Sequence, residues 1–537
     1  MTSGSTADRF NIAAWLVDRH LDAGHGARPA IVCGDQTLRY ADVAEQVQRA
    51  ANGLLACGLR REERVLLVMN DEPAFVAFFL AALRLGAVPV PTSTMLTPAE
   101  VAVIAADAHV RVAVVSAEYA GHLPAVRAAA DGLAATIVAD EPTAGTGPTA
   151  PDATPEAGPD AATYRWSELD DTTAVPVATT SGESPGFWLY TSGTTGTPKG
   201  AMHRHADPKV TAETYAASVL QITPEDRCHS VAKLFFAYGL GNSLTFPFAV
   251  GAATVLNPQR PTPAGVADLV ERHRPTLFFG SPGFYAGLLD AAVPRERFAS
   301  VRLGASAGEV LPAALHMRVV DHFGFPVLDG IGSTEALHIF LSNRVGAERG
   351  GTSGTPVPGY ECKLCDDAGN EILEADTPGQ LHIRGESIAT GYWCRREATQ
   401  AAFLGPWNRT GDVYTRSADG YWTFLGRNND MMKVGGIWVS PAEVENVLLQ
   451  HPDVLEAVVV GARTAGDELE TAVAFLVARS GRRIDPDDVE AHCRRHMAAF
   501  KRPRRIVVVD ALPKTATGKV QRFALRQQLA VPATPPA

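Results

Sequence analysis

The chain has 537 residues, of which 46% are apolar and 20% charged. That balance excludes disordered, collagen-like and coiled-coil proteins, which need far fewer apolar groups or a strict period. With 48 basic against 59 acidic residues and a net charge of −11, it lacks the basic excess that neutralises nucleic-acid phosphates or an anionic membrane, so neither partner is expected.

The length is several times that of an ordinary domain, so at least two domains are expected. Residues Met1 to Phe10 hold no basic segment leading into an apolar run, and secretion is not indicated. The longest apolar run, Ala74 to Leu83, is ten residues, about half of the ~20 needed to span a bilayer. Seven scattered cysteines fit reduced thiols in a cytoplasm better than a disulfide framework. Cys362 and Cys365 form a C-x-x-C, but no second pair follows and a strand would point them apart, which argues against a metal site. His492, Cys493 and His496 share part of a helix face, yet Arg494 and Arg495 interrupt them, and the segment reads as a solvated amphipathic helix.

In chain order, Val65 to Met69 reads as a buried strand, Pro73 to Leu85 as a helix, Ala87 to Val90 as a short strand, Thr97 to Ala106 as a helix and Val110 to Ser116 as a strand. Thr97-Pro98-Ala99-Glu100 is a capping box with proline at the first helical position. Strands separated by helices imply a mostly parallel sheet covered on both faces. From Glu141 to Gly186 the composition turns to Ala, Pro, Thr, Gly and Asp, with little to bury, and a surface insertion is expected. A second α/β section runs from Phe187 to Asp329, and Gly351 to Phe424 is rich in short strands and turns. After Gly426 to Asp430, Ser440-Pro441-Ala442-Glu443 reads as another capping box. Strands follow at Val454 to Val460 and Ala472 to Val477, then a helix opened by Asp485-Pro486 and a strand at Arg505 to Val509. The expected architecture is α/β: a large N-terminal domain (1–428) of parallel sheets flanked by helices plus a β-rich subdomain, and a small C-terminal α+β domain (429–530) joined by a hinge.

Tyr190-Thr191-Ser192-Gly193-Thr194-Thr195-Gly196-Thr197-Pro198-Lys199-Gly200 carries the strongest chemical signal. Its glycines let backbone approach a polyanion, its hydroxyls donate without charge, and Lys199 supplies a cation. It is a phosphate cradle, though it lacks the G-x-x-x-x-G-K-[ST] spacing of P-loop NTPases.

That segment resembles the signature of the adenylate-forming superfamily of acyl-CoA synthetases, peptide-synthetase adenylation domains and luciferases. Asp329-Gly330-Ile331-Gly332-Ser333-Thr334-Glu335 resembles its second core motif, and Thr410-Gly411-Asp412-Val413-Tyr414 its ribose-binding motif. Gly426 to Glu445 resembles its hinge region, and Pro513 to Val520 the C-terminal motif that carries a catalytic lysine, here Lys519. The five stand in the family order and cover nearly the whole chain.

The resemblance implies ATP, Mg²⁺ and CoA as cofactors and substrates. Activating a carboxylate brings one anion against the α-phosphorus of a polyanion, which needs local positive charge. Lys519, Thr334 and Glu335 are the implied catalytic residues: Lys519 bridges the attacking oxygen and the α-phosphate, Thr334 donates to that phosphate, and Glu335 holds the Mg²⁺. Asp412 is placed to accept both ribose hydroxyls with Arg427 alongside. Further positions implied to bind the nucleotide or CoA are Thr191, Ser192, Gly193, Thr194, Thr195, Lys199, Ala307, Gly308, Glu309, Asp329, Ile331 and Phe424, with Gly435 and Gly436 lining the CoA channel after the small domain rotates. The hinge position is Asn429, where the family more often has Asp or Lys, and this puts charge-dependent control of the rotation in question.

For the acid, Phe235-Phe236-Ala237-Tyr238-Gly239 lacks the Asp that pairs with an amino acid's ammonium in adenylation domains; an α-amino acid would leave a buried cation unpaired. Phe235 to Asn242 and Ile331 to Asn343 are similar to benzoate-CoA ligases, which implies a flat aryl pocket shaped by Ala237, Tyr238, Gly332, His338 and Ile339. His338 is a possible donor to the carboxylate or to an ortho substituent. The expected activity is AMP-forming ligation of benzoate or a small substituted benzoate to CoA, in the cytoplasm. Delivery to a carrier-protein phosphopantetheine stays open as an alternative, as do the ring substituents, a fatty-acid tunnel and a non-catalytic nucleotide sensor.

Overall fold

Short runs of valine, leucine and isoleucine alternate with helices in the first third of the chain. They pair in the order Val88–Pro91, Arg64–Val68, Val110–Ser116, Ala135–Ala139 and Ala162–Arg165, every neighbour parallel. The computed structural model describes residues 9–139, 162–192, 198–428, 430–434, 437–462, 471–514 and 520–530. The apolar run expected from the sequence is the helix Pro73–Arg84, buried along its whole length from Ala74 to Arg84, which is why it carries no polar face. The helix Pro98–Asp107 begins as its capping box requires, with Thr97 N donating to Glu100 Oε2 at 2.8 Å and Glu100 N to Thr97 Oγ1 at 3.4 Å.

The expected surface insertion is corrected from residue 162 onward; residues 140–161 lie outside the described residues. Ala162–Arg165 adds the fifth strand of the sheet, and Trp166 is fully buried, its ring 4.7 Å from that of Phe78 with the Arg49 guanidinium 4.0 Å over it. The many prolines and small residues around it dominate the local composition and mask one large anchor.

A nine-stranded sheet follows, in the order Thr355–Pro356, Ile339–Ser342, Val327–Gly332, Leu303–Ser306, Leu277–Gly280, Arg227–Ser230, Ala253–Leu256, Pro29–Cys33 and Gln36–Arg39. The interior pairs, from Val327–Gly332 to Pro29–Cys33, are all parallel, and the outermost are antiparallel. Parallel strands end on one edge, so the loops after Ser230, Gly280, Ser306 and Gly332 open side by side, where α/β sheets hold their ligands. The β-rich stretch is an antiparallel sheet of Glu371–Ile372, Glu361–Cys365, Gly379–Arg384, Trp407–Arg416 and Phe403–Leu404, with Trp422–Arg427 paired to Trp407–Arg416.

The C-terminal stretch has its own sheet, Val454–Ala462, Thr471–Ala478 and Arg505–Val508. One face packs Val444, Leu448, Val459, Leu476 and Val489; the other packs Val460, Phe475 and Leu525. Ser440 Oγ accepts from Glu443 N at 3.2 Å as a cap should, but the Glu443 carboxylate pairs with Lys501 instead of returning to the cap, so this box is one-sided. The helix Pro486–His496 is amphipathic as expected, yet His492 and Cys493 lie on its buried face and not in solvent, with His492 Nε2 donating to Val447 O at 3.0 Å. Cys362 and Cys365 are free thiols, and among the described residues no cluster of three His, Cys, Asp or Glu could hold a metal. Among the same residues no helix is long and apolar enough to cross a membrane.

Candidate active site

The strands Pro185–Ser192 and Pro198–Arg204 form an antiparallel hairpin with Thr191 opposite Lys199. Gly193, Thr194 and Thr195 lie outside the described residues, as do the Ser192 side chain, Gly435, Gly436, Asn429 and Lys519. The hairpin is held from behind by Asp107. Its carboxylate accepts from Tyr190 OH at 2.7 Å and pairs with Arg395, and its carbonyl accepts from Trp393 Nε1 at 2.9 Å. Trp393 stacks on Trp188 with ring centroids 4.6 Å apart. Burial and the neighbouring Asp107 push the Tyr190 hydroxyl well above its ordinary pKa, so it stays a donor.

The turn that follows strand Val327–Gly332 carries Thr334 and Glu335, and four contacts fix it. His203 Nε2 lies 2.8 Å from Thr334 O and its Nδ1 3.1 Å from buried Asp207. Ala389 N donates to Glu335 O at 2.7 Å, Ser387 Oγ to Ala336 O at 2.7 Å, and Tyr392 OH to Glu335 Oε1 at 2.6 Å. Lys199 Nζ stands 5.5 Å over the Tyr392 ring, so the hairpin's cation and the Glu335 carboxylate meet on one tyrosine.

Ser306 is paired with Asp329 across parallel strands, which sets Ala307-Gly308 beside Gly330-Ile331 at the open edge. Gly308 has φ +94°, the left-handed region that favours glycine, and a Cβ there would meet nothing within 4 Å. Asp329 is buried, and burial raises its carboxyl well above the usual range despite hydrogen bonds from Ser306 and the backbone of Leu311 and Gly330. Glu309 Oε2 accepts from Gly283 N at 3.3 Å. Asp412 and Arg427 face each other across paired strands, with Arg427 Nε 3.0 Å from Asp412 Oδ1. Arg427 therefore occupies one of the two oxygens expected for ribose. Phe424 packs edge-on against Tyr414 at 5.5 Å.

The segment expected to line the acid pocket follows strand Arg227–Ser230. It is tied down by Asp71, which accepts from Leu234 N at 2.9 Å, and by Lys233 Nζ, which donates to Gln259 O at 2.8 Å. A π-helical turn, Gly241–Thr245, brings Asn242 Oδ1 within 3.2 Å of His338 Nε2. The His338 ring lies 4.4 Å from Phe246, 5.2 Å from Tyr215 and 5.4 Å from Tyr238, and Ile339 behind it is buried. Ala237 is half-buried at the start of the short helix Ala237–Leu240. Burial pushes His338 down to about 3, so the ring is neutral, with its Nε2 in contact with Asn242. Among the aromatic rings the imidazole forms part of a wall, with Nε2 facing Asn242.

A pH test follows. The unfolded chain protonates this histidine near its ordinary 6.5, whereas the folded one resists until about 3. Against a His338→Asn variant, wild type should therefore lose stability on acidification through that window, by up to about 1.4 kcal/mol per pH unit. Chemical denaturation at a series of pH values measures it, and identical pH profiles for the two proteins would contradict a neutral buried ring.

Sequence reasoning missed Asp107, His203, Tyr392, Trp393, Asp71 and Asn242.

Residues 18–393 match the family described as AMP-binding enzyme, and residues 443–519 match the AMP-binding enzyme C-terminal domain. The benzoate–CoA ligase of Thauera aromatica is 42% identical over 538 residues, covering 97% of this chain and 96% of that protein. The crystal structure of a benzoate CoA ligase from Burkholderia xenovorans LB400 is similar with a TM-score of 0.85 at 41% identity, over 96% of this chain and 100% of that one. That of the anthranilate CoA ligase AuaEII in complex with anthranoyl-AMP is similar with a TM-score of 0.89 at 36% identity, over 99% of both chains. With family models matching residues 18–393 and 443–519 and relatives matching end to end, the chain belongs to the AMP-binding enzyme family, on the branch that holds the benzoate–CoA ligases.

Proposed function

We propose that the protein joins benzoate or a small substituted benzoate to CoA, cleaving ATP to AMP and pyrophosphate. The carboxylate attacks the α-phosphorus, pyrophosphate leaves, and the aryl-adenylate stays bound until the CoA thiolate displaces AMP from its carbonyl carbon. The observation that carries this reading is the wall around His338: aromatic rings about a neutral imidazole, with no acidic side chain from Phe235 to Gly239 to pair with a substrate ammonium. Full-length likeness to a benzoate–CoA ligase supports the same choice.

In this reading Lys199 and the hydroxyls of the hairpin hold the triphosphate, and Thr334 donates to the α-phosphate. Glu335 fits Mg²⁺: it is a hard oxygen donor with Oε1 steadied by Tyr392, and the ion bound there supplies charge neutralisation to the triphosphate. Asp412 receives the ribose while Arg427 fixes its other oxygen. Lys519 reaches the reacting phosphate when the C-terminal domain, residues 429–530, closes on the N-terminal one. Rotation about Asn429 then withdraws it and brings Gly435-Gly436 in for CoA. Asp329, Ala307, Gly308 and Ile331 take the nucleotide at the open edge, where Ser306 pairs with Asp329.

Incubating the protein with ATP, Mg²⁺, CoA and a panel of benzoate, its hydroxy and amino derivatives, cinnamate and short fatty acids tests this by mass spectrometry. Benzoyl-CoA or a substituted analogue is expected with stoichiometric AMP. Pyrophosphate release without any aryl-CoA would move the acceptor to a carrier protein, and turnover of fatty acids alone would overturn the aryl pocket.

A further inference from the structure

We infer that Tyr392 is a positioning residue for the triphosphate site, its hydroxyl holding the Glu335 carboxylate for the metal and its ring holding Lys199 for the phosphates. This rests on the roles proposed above for those two residues.

Tyr392 is itself immobilised. Its backbone bridges Ala201 on the second hairpin strand, and its neighbours are laced to the same strand, Trp393 N donating to Gly200 O at 2.9 Å and Met202 N to Gly391 O at 3.0 Å. Tyr392 N donates to Thr399 Oγ1 at 3.0 Å, and the Phe403 ring packs edge-on at 5.4 Å. From that fixed base its hydroxyl donates to Glu335 Oε1 at 2.6 Å, a short charge-assisted bond. A free glutamate samples several rotamers, and ordering it on ligand binding would take up that entropy. Here Oε1 is held beforehand, so less of that entropy remains to be taken up when the carboxylate meets a hard cation or its waters.

The same ring serves the opposite charge. Lys199 Nζ stands 5.5 Å above it, within range of cation–π attraction. Lys199 and Glu335 thus both meet Tyr392, and among the described residues no ion pair joins them to each other. Collapsed onto each other, they would neutralise the two charges that a metal–triphosphate needs separately. Held through one tyrosine, each remains available.

The test titrates Mn²⁺ into enzyme saturated with α,β-methylene-ATP, which cannot be cleaved at the reacting bond, and reads bound metal by electron paramagnetic resonance. Tyr392→Phe keeps the ring and removes only the hydroxyl. It should weaken Mn²⁺ binding by about tenfold or more, with KM for the aryl acid within about twofold of wild type, because the acid wall is elsewhere. Unchanged Mn²⁺ affinity would overturn the hydroxyl's role, and a KM for the acid that rises in parallel would reduce Tyr392 to a structural residue. Glu335→Gln, run beside it, separates the two readings: if it too leaves Mn²⁺ affinity unchanged, the proposed metal role of Glu335 fails, whereas a loss in Glu335→Gln alone sinks only the inference about Tyr392. Tyr392→Leu should raise KM for MgATP beyond the Phe variant, and equality of the two would remove the ring from the account.

Discussion

Replacing Lys519 by alanine is expected to slow aryl-adenylate formation by about 10²- to 10³-fold, the range for deleting one preorganised charge donor at a reacting oxygen. ATP binding should change far less. A carboxylate approaching a triphosphate meets like charge, and a lysine that bridges the attacking oxygen and the α-phosphate is worth most at the moment the new P–O bond forms. Thioester formation from supplied benzoyl-adenylate should stay within a few-fold of wild type, since the proposed rotation withdraws the lysine in that half-reaction. Single-turnover measurement of pyrophosphate release and of benzoyl-CoA formation separates the halves, and equal losses in both would show that Lys519 does not act in adenylation specifically.

Gly332→Ala is expected to lower kcat/KM for benzoate by about a hundredfold, the scale of a 1 Å misplacement near reacting groups. The added Cβ would stand 2.5 Å from His338 O and 2.6 Å from His338 C, both backbone atoms with no flexible end to give way. Gly332 pairs with Ile339 beside an irregularity in the register, so relief must come from parting these strands. That moves His338 in the wall and, two residues on, Thr334 of the phosphate turn. Steady-state kinetics against both benzoate and ATP measures it, and an unchanged kcat/KM would mean that the wall tolerates the shift.

The sequence was legible where chemistry or periodicity is local. Pro73 to Leu85, Val110 to Ser116 and the Thr97 cap appear within a residue or two of expectation, because each is set by a short run of apolar residues or by one capping pair. The motif around Tyr190 and that around Asp329 were visible because glycines, hydroxyls and charges crowd into a few positions. Tyr392 left no such mark. Its partners Lys199 and Glu335 are 193 and 57 positions away, and the backbone contacts of its stretch with Gly200 to Met202 and with Glu335 bring them together. Asp107 is likewise the last residue of an ordinary helix until Tyr190 and Arg395 reach it. Trp166 failed for the opposite reason, since composition averaged over a proline-rich stretch hides a single buried ring. The contact of His338 with Asn242 was not legible, because Asn242 is placed by a π-helical turn that no local pattern announces.

Benzoate labelled with ¹⁸O in its carboxylate tests the central chemistry most directly. If the acid oxygen attacks the α-phosphorus, turnover with ATP and CoA transfers one ¹⁸O per cycle into the phosphate of AMP and none into pyrophosphate. Label that stays wholly in the thioester, or that appears in pyrophosphate or inorganic phosphate, would contradict activation through an aryl-adenylate.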